Sequence, residues 1–299
     1  MRVFVTGAGG QLGRALTEDF SRRGWEVLGS VRGAQTGDCR QNLISLDVTD
    51  RAGVSSALNR YRPQAVVHCA AWTAVDAAEA EENRETVMAV NALGSRYIAQ
   101  SCRELGCKLV YISTDYVFDG KAPGLRGADS EDYRPLNLYG LSKLEGELAV
   151  RKLTDKHFIL RTQWVFGPGG GNFVDTMLRL SESRDCLKVV CDQLGTPSYT
   201  RDLARLIGDM CLTEKYGCYN ATNEGGYTSW YAFAEEIFRQ AGRSTRVLPV
   251  TTKEYGLNRA ERPLNSRLDR SKLIQEGFEP LPDWRDGLRR YLIETGVTG

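Results

Sequence analysis

Short apolar runs alternate with stretches of helical periodicity through the first half of the chain. Residues Arg2–Thr6 form a β-rich run, and apolar residues from Leu12 to Phe20 then recur at helical spacing. The pattern predicts later strands at Glu26–Ser30, Ser45–Leu46, Ala65–His68, Leu109–Ile112 and Phe158–Leu160. It predicts helices from about Glu79 to Leu105 and over Leu138–Leu153. This alternation indicates an α/β protein with a doubly wound parallel sheet.

A glycine-rich breaker interrupts the chain after its midpoint. Gly167–Gly171 reads GPGGG and separates the predicted strand Phe158–Phe166 from a helix that starts near Asn172. The pattern beyond this point is less regular, and no low-complexity linker follows it. We therefore predict two units, residues 1–165 and 166–299. The second is a smaller α/β domain that sends some segments back into the first.

Composition excludes several classes of partner. The 299 residues include 39 basic and 38 acidic side chains, a formal net charge of +1, which gives no electrostatic basis for binding nucleic acid or an anionic membrane. No stretch approaches the roughly 20 consecutive apolar residues that span a bilayer. The N-terminal run MRVFVTG indicates a strand and a turn rather than a signal peptide, so a cytoplasmic protein is expected.

The cysteine and histidine pattern predicts no metal site. The chain has eight cysteines and two histidines, and no two cysteines form a C-x-x-C pair. Structural zinc sites usually need ligands that are more closely clustered than these. We expect reduced, mostly buried thiols, as is usual for a cytoplasmic protein.

Three glycines follow the first strand directly. Gly7, Gly10 and Gly13 form G-x-x-G-x-x-G at the start of the first predicted helix, with Gln11 and Leu12 inside the turn. Glycine there lets the backbone approach a pyrophosphate, and the helix N-terminus offers unpaired N–H groups. The position between a strand and an amphipathic helix predicts a Rossmann dinucleotide-binding domain in residues 1–165.

The ends of the next strands bear on which dinucleotide binds. An NAD site usually carries an acid about 20 residues after the glycines, but Ser30 and Arg32 occupy that place here and the first acid after them is Asp38. A guanidinium pairs well with a 2′-phosphate, which predicts NADPH as the cofactor. The alternative is that Arg32 is a solvated loop residue and NADH is also accepted. Residues predicted to lie against the rest of the cofactor are Asp47, Val48, Ala70 and Ala71.

A tyrosine and a lysine indicate reduction chemistry. Tyr139 and Lys143 are four residues apart and share one face of the predicted helix Leu138–Leu153. We expect Lys143 to lower the pKa of the phenol, making Tyr139 a general acid, and to bind the nicotinamide ribose. Thr114, at the C-terminal end of a predicted strand, would orient a substrate carbonyl. Thr114 could instead satisfy its own turn.

Eight segments resemble the extended short-chain dehydrogenase/reductases and, within them, the dTDP-4-dehydrorhamnose reductase family. The first and fourth are general to the superfamily, whereas CAAWTAVD and STDYVFDG are much more specific. The segments are Val5–Gly13, Cys69–Asp76, Ser113–Gly120, Tyr139–Glu147, Arg161–Gly167, Gly171–Phe173, Asp192–Pro197 and Arg262–Ser266. They extend over almost the whole length of the chain.

The resemblance implies a substrate, dTDP-6-deoxy-L-lyxo-4-hexulose, which is reduced at C4 to dTDP-L-rhamnose. It places the sugar and the nicotinamide beside Thr73, Ala74 and Val75, and the hexulose against Tyr116 and Trp164. It places the nucleotide part near Asn172, Phe173, Gln193 and Arg262. Trp164 and Phe173 could instead be core aromatics, and Arg262 could be a structural ion-pair residue.

The resemblance leaves alternatives open. Ala15 stands where members that form a metal-bridged dimer have an acid, so no metal is expected and the chain could be a monomer or a homodimer. The substrate could be another nucleotide-4-keto-sugar. The protein could also be a non-catalytic NADP-binding regulatory subunit, although a subunit freed from catalysis need not keep Thr114, Tyr139 and Lys143.

Overall fold

Seven parallel strands form the central sheet of the computed structural model, which describes residues 1–33 and 42–298. The strands of the described chain are β1 Arg2–Thr6, β2 Glu26–Val31, β3 Leu43–Ser45, β4 Ala65–His68, β5 Lys108–Thr114, β6 His157–Thr162, β7 Val165–Phe166, β8 Cys186–Val190, β9 Leu194–Gly195, β10 Ser198–Tyr199, β11 Gly217–Asn220, β12 Thr228–Ser229 and β13 Arg246–Val250. The helices are α1 Gln11–Arg22, α2 Arg51–Tyr61, α3 Val75–Ala78, α4 Arg84–Met88, α5 Ser95–Leu105, α6 Leu138–Leu153, α7 Phe173–Ser181, α8 Thr200–Cys211, α9 Trp230–Gln240, α10 Thr252–Tyr255, α11 Ser271–Gln275 and α12 Trp284–Glu294.

The strand order confirms the predicted fold class. Across the sheet the order is β3-β2-β1-β4-β5-β6-β11, and every neighbouring pair is parallel. The order reverses between β1 and β4, and open α/β sheets bind their ligands beyond the carboxyl ends of the strands at such a point. The apolar run Val3–Val5 is buried on both faces because helices cover both sides of the sheet.

Two layers of helices enclose the sheet. Helices α1 and α8 pack together over one face, around a core that includes Leu16, Phe20 and Leu203. Helices α2, α5 and α6 cover the other face, where Phe4, Leu58 and related side chains are buried. None of the helices in the described ranges is long and apolar enough to cross a membrane.

The second half of the chain builds a smaller α/β unit. Strands β8 and β13 pair in parallel, and helices α7, α9 and α12 surround a second core rich in aromatic side chains, including Phe166, Phe233 and Trp284. Strand β11 and helix α8 belong to the central sheet and its cover instead. The division at residue 165, with later segments returning to the first unit, stays a prediction.

Two predicted elements are interrupted in the structure. The stretch expected as one helix to Leu105 contains a 3₁₀ turn at Glu81–Asn83 and a π-helical turn at Ala89–Gly94. The strand expected to run to Phe166 breaks after Thr162, because Trp164 has φ 48° and left-handed backbone cannot continue a strand. The Ser198 nitrogen donates to the Trp164 oxygen at 3.1 Å, so the chain then pairs with β10.

Candidate active site

The carboxyl ends of β1, β4, β5 and β6 border one cavity of about 790 Å³. Most of the residues predicted from the sequence lie in its wall. They are Gly7, Gly10, Gln11, Leu12, Gly13, Ser30, Arg32, Asp47, Val48, Ala70, Ala71, Thr73, Val75, Thr114, Tyr116, Tyr139, Lys143 and Trp164. Five predicted residues lie outside this wall: Ala74, Asn172, Phe173, Gln193 and Arg262.

The glycine turn forms a cradle that side chains would fill. Gly7 has φ 66°, and a Cβ added there would lie 2.7 Å from the Ala70 nitrogen. A Cβ added to Gly13 would lie 2.2 Å from the Gly7 oxygen. Gly10 caps α1 without a side-chain hydrogen bond, and the first turn of α1 has no acid. The turn therefore fits the diphosphate of a dinucleotide, to which it offers free N–H groups and a positive helix end.

The residues that line the cavity include a cationic side chain, Arg32, and an anionic one, Asp47. Ser30 is buried at the end of β2, and Arg32 lies two residues further along, at the surface. The pKa of Asp47 is lowered, mainly by hydrogen bonds from the Thr49 nitrogen and hydroxyl and further by the charge of Arg32. Asp38, the first acid after Arg32, lies outside the described residues.

Thr114, Tyr139 and Lys143 all line the wall of this cavity. Thr114 ends β5, where its hydroxyl donates to Asp115 Oδ1 at 3.1 Å. Tyr139 lies one residue into α6 and packs edge-on against the ring of Tyr116, with 5.8 Å between the ring centres. The Nζ atom of Lys143 lies 4.2 Å from the centre of a neighbouring tyrosine ring and is almost completely buried.

The ionisation of this set differs from the sequence prediction. Burial raises the pKa of Tyr139 to about 12, with Asp115 adding to the effect and a hydrogen bond with Thr114 opposing it. Burial also lowers the pKa of Lys143 to about 7, against the attraction of Cys69 and Glu147. The prediction that Lys143 lowers the pKa of Tyr139 is therefore wrong for this structure, because burial sets the shift and Lys143 is not among the groups that offset it.

Two stacked tryptophans form another part of the wall. Trp164 and Trp230 are nearly parallel, with ring centres 3.8 Å apart and planes 19° apart, and both line the cavity. Trp164 comes from the break after β6, whereas Trp230 begins α9 in the smaller unit. The two indoles give this part of the cavity wall an apolar, aromatic character.

Three of the residues outside the wall have structural partners. Asn172 caps α7, accepting from the Asp175 nitrogen at 3.0 Å and donating to Gln11 Oε1 at 3.3 Å. Phe173 packs in the aromatic core of the smaller unit. The Ala74 oxygen accepts a hydrogen bond from an indole nitrogen at 3.1 Å. Their binding roles stay predictions, and Asn172 touches the cofactor turn through Gln11.

The other two residues outside the wall are held by polar partners. Gln193 is buried and donates to the Thr252 hydroxyl at 3.0 Å. Arg262 forms a forked ion pair with Asp76, with contacts of 3.1 Å and 2.6 Å. The pKa of Arg262 is raised, because Asp76 and Tyr116 together outweigh its desolvation. Arg262 therefore lies next to Tyr116, which lines the cavity, without lining the cavity itself.

Possible metal ligands and cysteine pairs were compared among the residues that the structure describes. Within residues 1–33 and 42–298, no three His, Cys, Asp or Glu side chains are grouped to hold a metal ion. The seven described cysteines form no disulfide with one another, and Cys39 lies outside the described residues. Neither observation bears on the oligomeric state.

Comparison with known proteins identifies the family. A family model described as the RmlD substrate binding domain matches residues 1–296. This chain belongs to that family. It is 45% identical over 294 residues to a dTDP-4-dehydrorhamnose reductase of Streptomyces griseus, covering 96% of this chain and 91% of that protein. It is 39% identical over 293 residues to the spore coat polysaccharide biosynthesis protein SpsK of Bacillus subtilis (strain 168), a match that covers 98% of this chain and 97% of that protein.

A solved structure of the same family has the same fold. The chain superposes with a TM-score of 0.89 on the dTDP-4-dehydrorhamnose reductase of Bacillus anthracis str. Ames, which was crystallised in complex with NADP. The two are 39% identical, and the match covers 98% of this chain and 99% of that one. The likeness includes both the central sheet and the smaller unit.

One feature of this RmlD-family protein that the sequence did not reveal is a buried ion pair beneath the site. Glu147, on α6 one turn after Lys143, pairs with Arg161 on β6, and both side chains are almost fully buried. Glu147 also accepts from the Ser113 hydroxyl at 2.8 Å and from the Tyr133 hydroxyl at 3.1 Å. The pair therefore ties the helix of Tyr139 and Lys143 to the strand end next to Thr114.

A second missed residue is Asn91 in the π-helical turn. Its side chain accepts from the Trp72 nitrogen at 2.8 Å and donates to the Trp72 oxygen at 3.1 Å and the Ser142 hydroxyl at 2.9 Å. Ser142 in turn donates to the Tyr139 oxygen at 2.8 Å. Asn91 thus holds the loop after β4 against α6. It is placed there by the π-helical turn Ala89–Gly94, which the apolar periodicity of the sequence did not predict.

Proposed function

We propose that this protein is an NADPH-dependent reductase that converts dTDP-6-deoxy-L-lyxo-4-hexulose, or dTDP-4-dehydro-L-rhamnose, to dTDP-L-rhamnose, the last step of dTDP-L-rhamnose synthesis. The observation that carries the proposal is that Thr114, Tyr139 and Lys143 share one cavity with the glycine turn of α1. Family membership supports the substrate, because near-full-length relatives have the name dTDP-4-dehydrorhamnose reductase.

Bound NADPH supplies the hydride that adds to C4 of the sugar. Tyr139 donates its phenolic proton to the C4 oxygen as negative charge develops there, so that ketone, hydride and proton give an alcohol. The raised pKa of Tyr139, about 12, keeps this proton in place at neutral pH. The Thr114 hydroxyl orients the same oxygen, exchanging its contact with Asp115 for one with the substrate.

The charged form of Lys143 supports this transfer. An ammonium group one helical turn from Tyr139, in the same cavity wall, stabilises the phenolate that remains after the proton has moved. Because the pKa of Lys143 is lowered to about 7, the charged form is one of two well-populated states at neutral pH. Lys143 is also our candidate for binding the nicotinamide ribose.

A coupled assay tests the reaction. dTDP-glucose is converted by the upstream dehydratase and epimerase, this protein is added with NADPH, and the C4 configuration of the product is read by NMR. We expect NADPH oxidation and dTDP-L-rhamnose. A product of another configuration would mean a different nucleotide-4-keto-sugar. Tight NADPH binding without turnover of any 4-keto-sugar nucleotide would favour the regulatory subunit instead.

Removing the phenolic hydroxyl tests the role of Tyr139. Positioned acid catalysis typically accelerates a reaction by about 10²–10⁴-fold, so Tyr139→Phe should lower kcat by that factor. The Kd of NADPH should stay within about threefold of the wild-type value, which is under ~0.7 kcal/mol. Tyr97→Phe is the matched control, since Tyr97 lies on α5 outside the cavity wall. Equal activity in both variants would contradict the assignment.

Replacing Arg32 tests the cofactor preference. A hydrogen bond to a charged group is worth about 1.5–3 kcal/mol, so Arg32→Ala should lower the NADPH/NADH ratio of kcat/KM by roughly 10- to 100-fold. The loss should appear with NADPH and leave NADH nearly unaffected. Arg51→Ala, at an exposed position outside the cavity wall, is the control. An unchanged ratio in Arg32→Ala would show that the 2′-phosphate is bound elsewhere.

A further inference from the structure

Gln163 is a buried amide without hydrogen bonds in the wall of the cavity. Its side chain is 3% exposed, and neither Nε2 nor Oε1 has a hydrogen-bond partner among the described residues. An unpaired buried amide destabilises a protein, and most such groups in native structures are paired. Nothing in the proposed reaction so far uses Gln163.

The surroundings of Gln163 make room for the amide but do not satisfy it. A Cβ added to Gly195 would lie 2.3 Å from Gln163 Oε1 and 2.8 Å from the Trp164 indole. The glycine therefore leaves space for both side chains at the break after β6. The nearby hydroxyls of Thr196 and Ser198 are also buried without partners in the described part of the chain. The neighbourhood thus holds polar groups that it does not pair with one another.

The position of Gln163 is set by the register of the sheet. Thr162 is directly opposite Thr114 in the pairing of β5 with β6, and Gln163 is the next residue. Gln163 therefore lies one residue beyond the partner of the threonine that orients the reacting carbonyl. Trp164, which follows it, presents the stacked indole to the same cavity.

We infer that Gln163 is a specificity-determining residue that recognises the two free hydroxyl groups of the sugar ring. This rests on the proposed function. A 4-keto-6-deoxyhexose joined to a nucleotide through C1 has free hydroxyls only at C2 and C3, which are neighbours. An amide offers one acceptor and one donor group side by side, and a pair of hydroxyls can complement both once the side chain turns from Gly195 toward the cavity. The indole of Trp164 then packs against the carbon face of the same ring.

The test compares two substrates in two proteins. The full substrate and its 2-deoxy analogue are assayed with wild type and Gln163→Leu. The 2-deoxy analogue leaves one group of the Gln163 amide unpaired. The kcat/KM of wild type should therefore be roughly 10- to 100-fold lower on this analogue than on the full substrate. Gln163→Leu should lose a similar factor on the full substrate, mainly through KM, and discriminate between the two substrates by less than about threefold, or ~0.7 kcal/mol. The Kd of NADPH should not change.

Thermal stability separates binding from a structural role. Because the amide is unpaired in the protein, Gln163→Leu should have the same Tm as wild type or a higher one. Gln240→Leu is the control, since the Gln240 amide lies outside the cavity wall and donates to Glu236 at 2.7 Å. That change should lower Tm and leave activity unaltered. Gln163→Met provides a second, more flexible replacement if the leucine variant folds poorly.

The outcomes distinguish the proposed function from the role of Gln163. A wild type that does not reduce the 4-keto sugar refutes the proposed function. An active wild type whose Gln163→Leu and Gln163→Met variants keep full discrimination against the 2-deoxy analogue refutes only the role of Gln163. A lower Tm with unchanged discrimination would make Gln163 a structural residue.

Discussion

Replacing Glu147 with glutamine is expected to destabilise the protein beneath helix α6, which carries Tyr139 and Lys143. The carboxylate of Glu147 is fully buried and accepts from Arg161, from the Ser113 hydroxyl at 2.8 Å and from the Tyr133 hydroxyl at 3.1 Å. A glutamine has the same shape but carries no charge and turns one acceptor into a donor. Arg161 is 0% exposed, so its guanidinium then remains buried without its counter-charge.

The size of the effect follows from that unpaired charge. Breaking a buried ion pair by removing one partner costs about 3–5 kcal/mol. A chain of this length shifts its Tm by about 2 °C for each kcal/mol, so Glu147→Gln should unfold roughly 6–10 °C below wild type. The remaining contacts of Arg161, such as its 3.0 Å hydrogen bond to the Ala128 oxygen, cannot replace the carboxylate.

Thermal unfolding followed by calorimetry or circular dichroism is the assay. Glu145→Gln is the matched control, because Glu145 lies on the same helix but is exposed. It should change stability by less than about 0.5 kcal/mol. Replacing both Glu147 and Arg161 with methionine should recover most of the loss, as buried pairs often tolerate apolar substitution. Equal Tm values for Glu147→Gln and Glu145→Gln would refute the reasoning.

Two further predictions concern the cofactor turn and the pH dependence. Because the pKa of Lys143 is lowered to about 7 by burial against the attraction of Cys69 and Glu147, its charge is lost as pH rises through 7. A pH profile of kcat/KM should therefore fall about tenfold per unit above that point, and a flat profile to about pH 9 would contradict it. Gly13→Ala places a methyl group 2.2 Å from a backbone oxygen and should abolish NADPH binding in a fluorescence titration. Gly124→Ala, where nothing lies within 4 Å, should bind like wild type.

Local patterns were enough to predict six of the seven strands of the central sheet, but not β11 at its edge. The run Arg2–Thr6, the glycine turn and the periodicity that follows it are all encoded within about 20 residues, so neighbouring positions alone indicate strand, turn and helix. Helix α6 spans Leu138–Leu153, the bounds that the sequence predicted. The alternation of strands and helices then implied a parallel, doubly wound sheet.

The residues that the sequence missed depend on contacts between distant segments. Glu147 looked like one of many charged residues on a helix until the structure placed Arg161 of β6 beside it. Trp230 follows Trp164 by 66 positions, counted from their numbers, and only the folding of the smaller unit against the sheet stacks the two rings. Periodicity identifies the buried face of an element but does not identify the side chain on the other element.

The prediction of a lowered pKa for Tyr139 failed for a related reason, because it depended on the folding of distant segments around the pair. Spacing on a helix showed that Lys143 is near, which predicts a lowered phenol pKa if both groups are hydrated. The structure shows instead that both are buried, and desolvation acts on each group in the direction of its neutral form. Burial depth is a property of the whole fold, so a pair of residues one helical turn apart does not reveal it.

The three ionisable groups around the proposed reacting oxygen all shift toward neutrality. Burial raises the pKa of Tyr139 to about 12 and lowers that of Lys143 to about 7. Burial also raises the pKa of Asp115 to about 6, against hydrogen bonds from Ser266 and Thr114. A site that disfavours charge in its own side chains keeps the proton on Tyr139 until the substrate oxygen becomes a stronger base than the phenolate. Proton donation then accompanies hydride addition, as negative charge develops on the C4 oxygen.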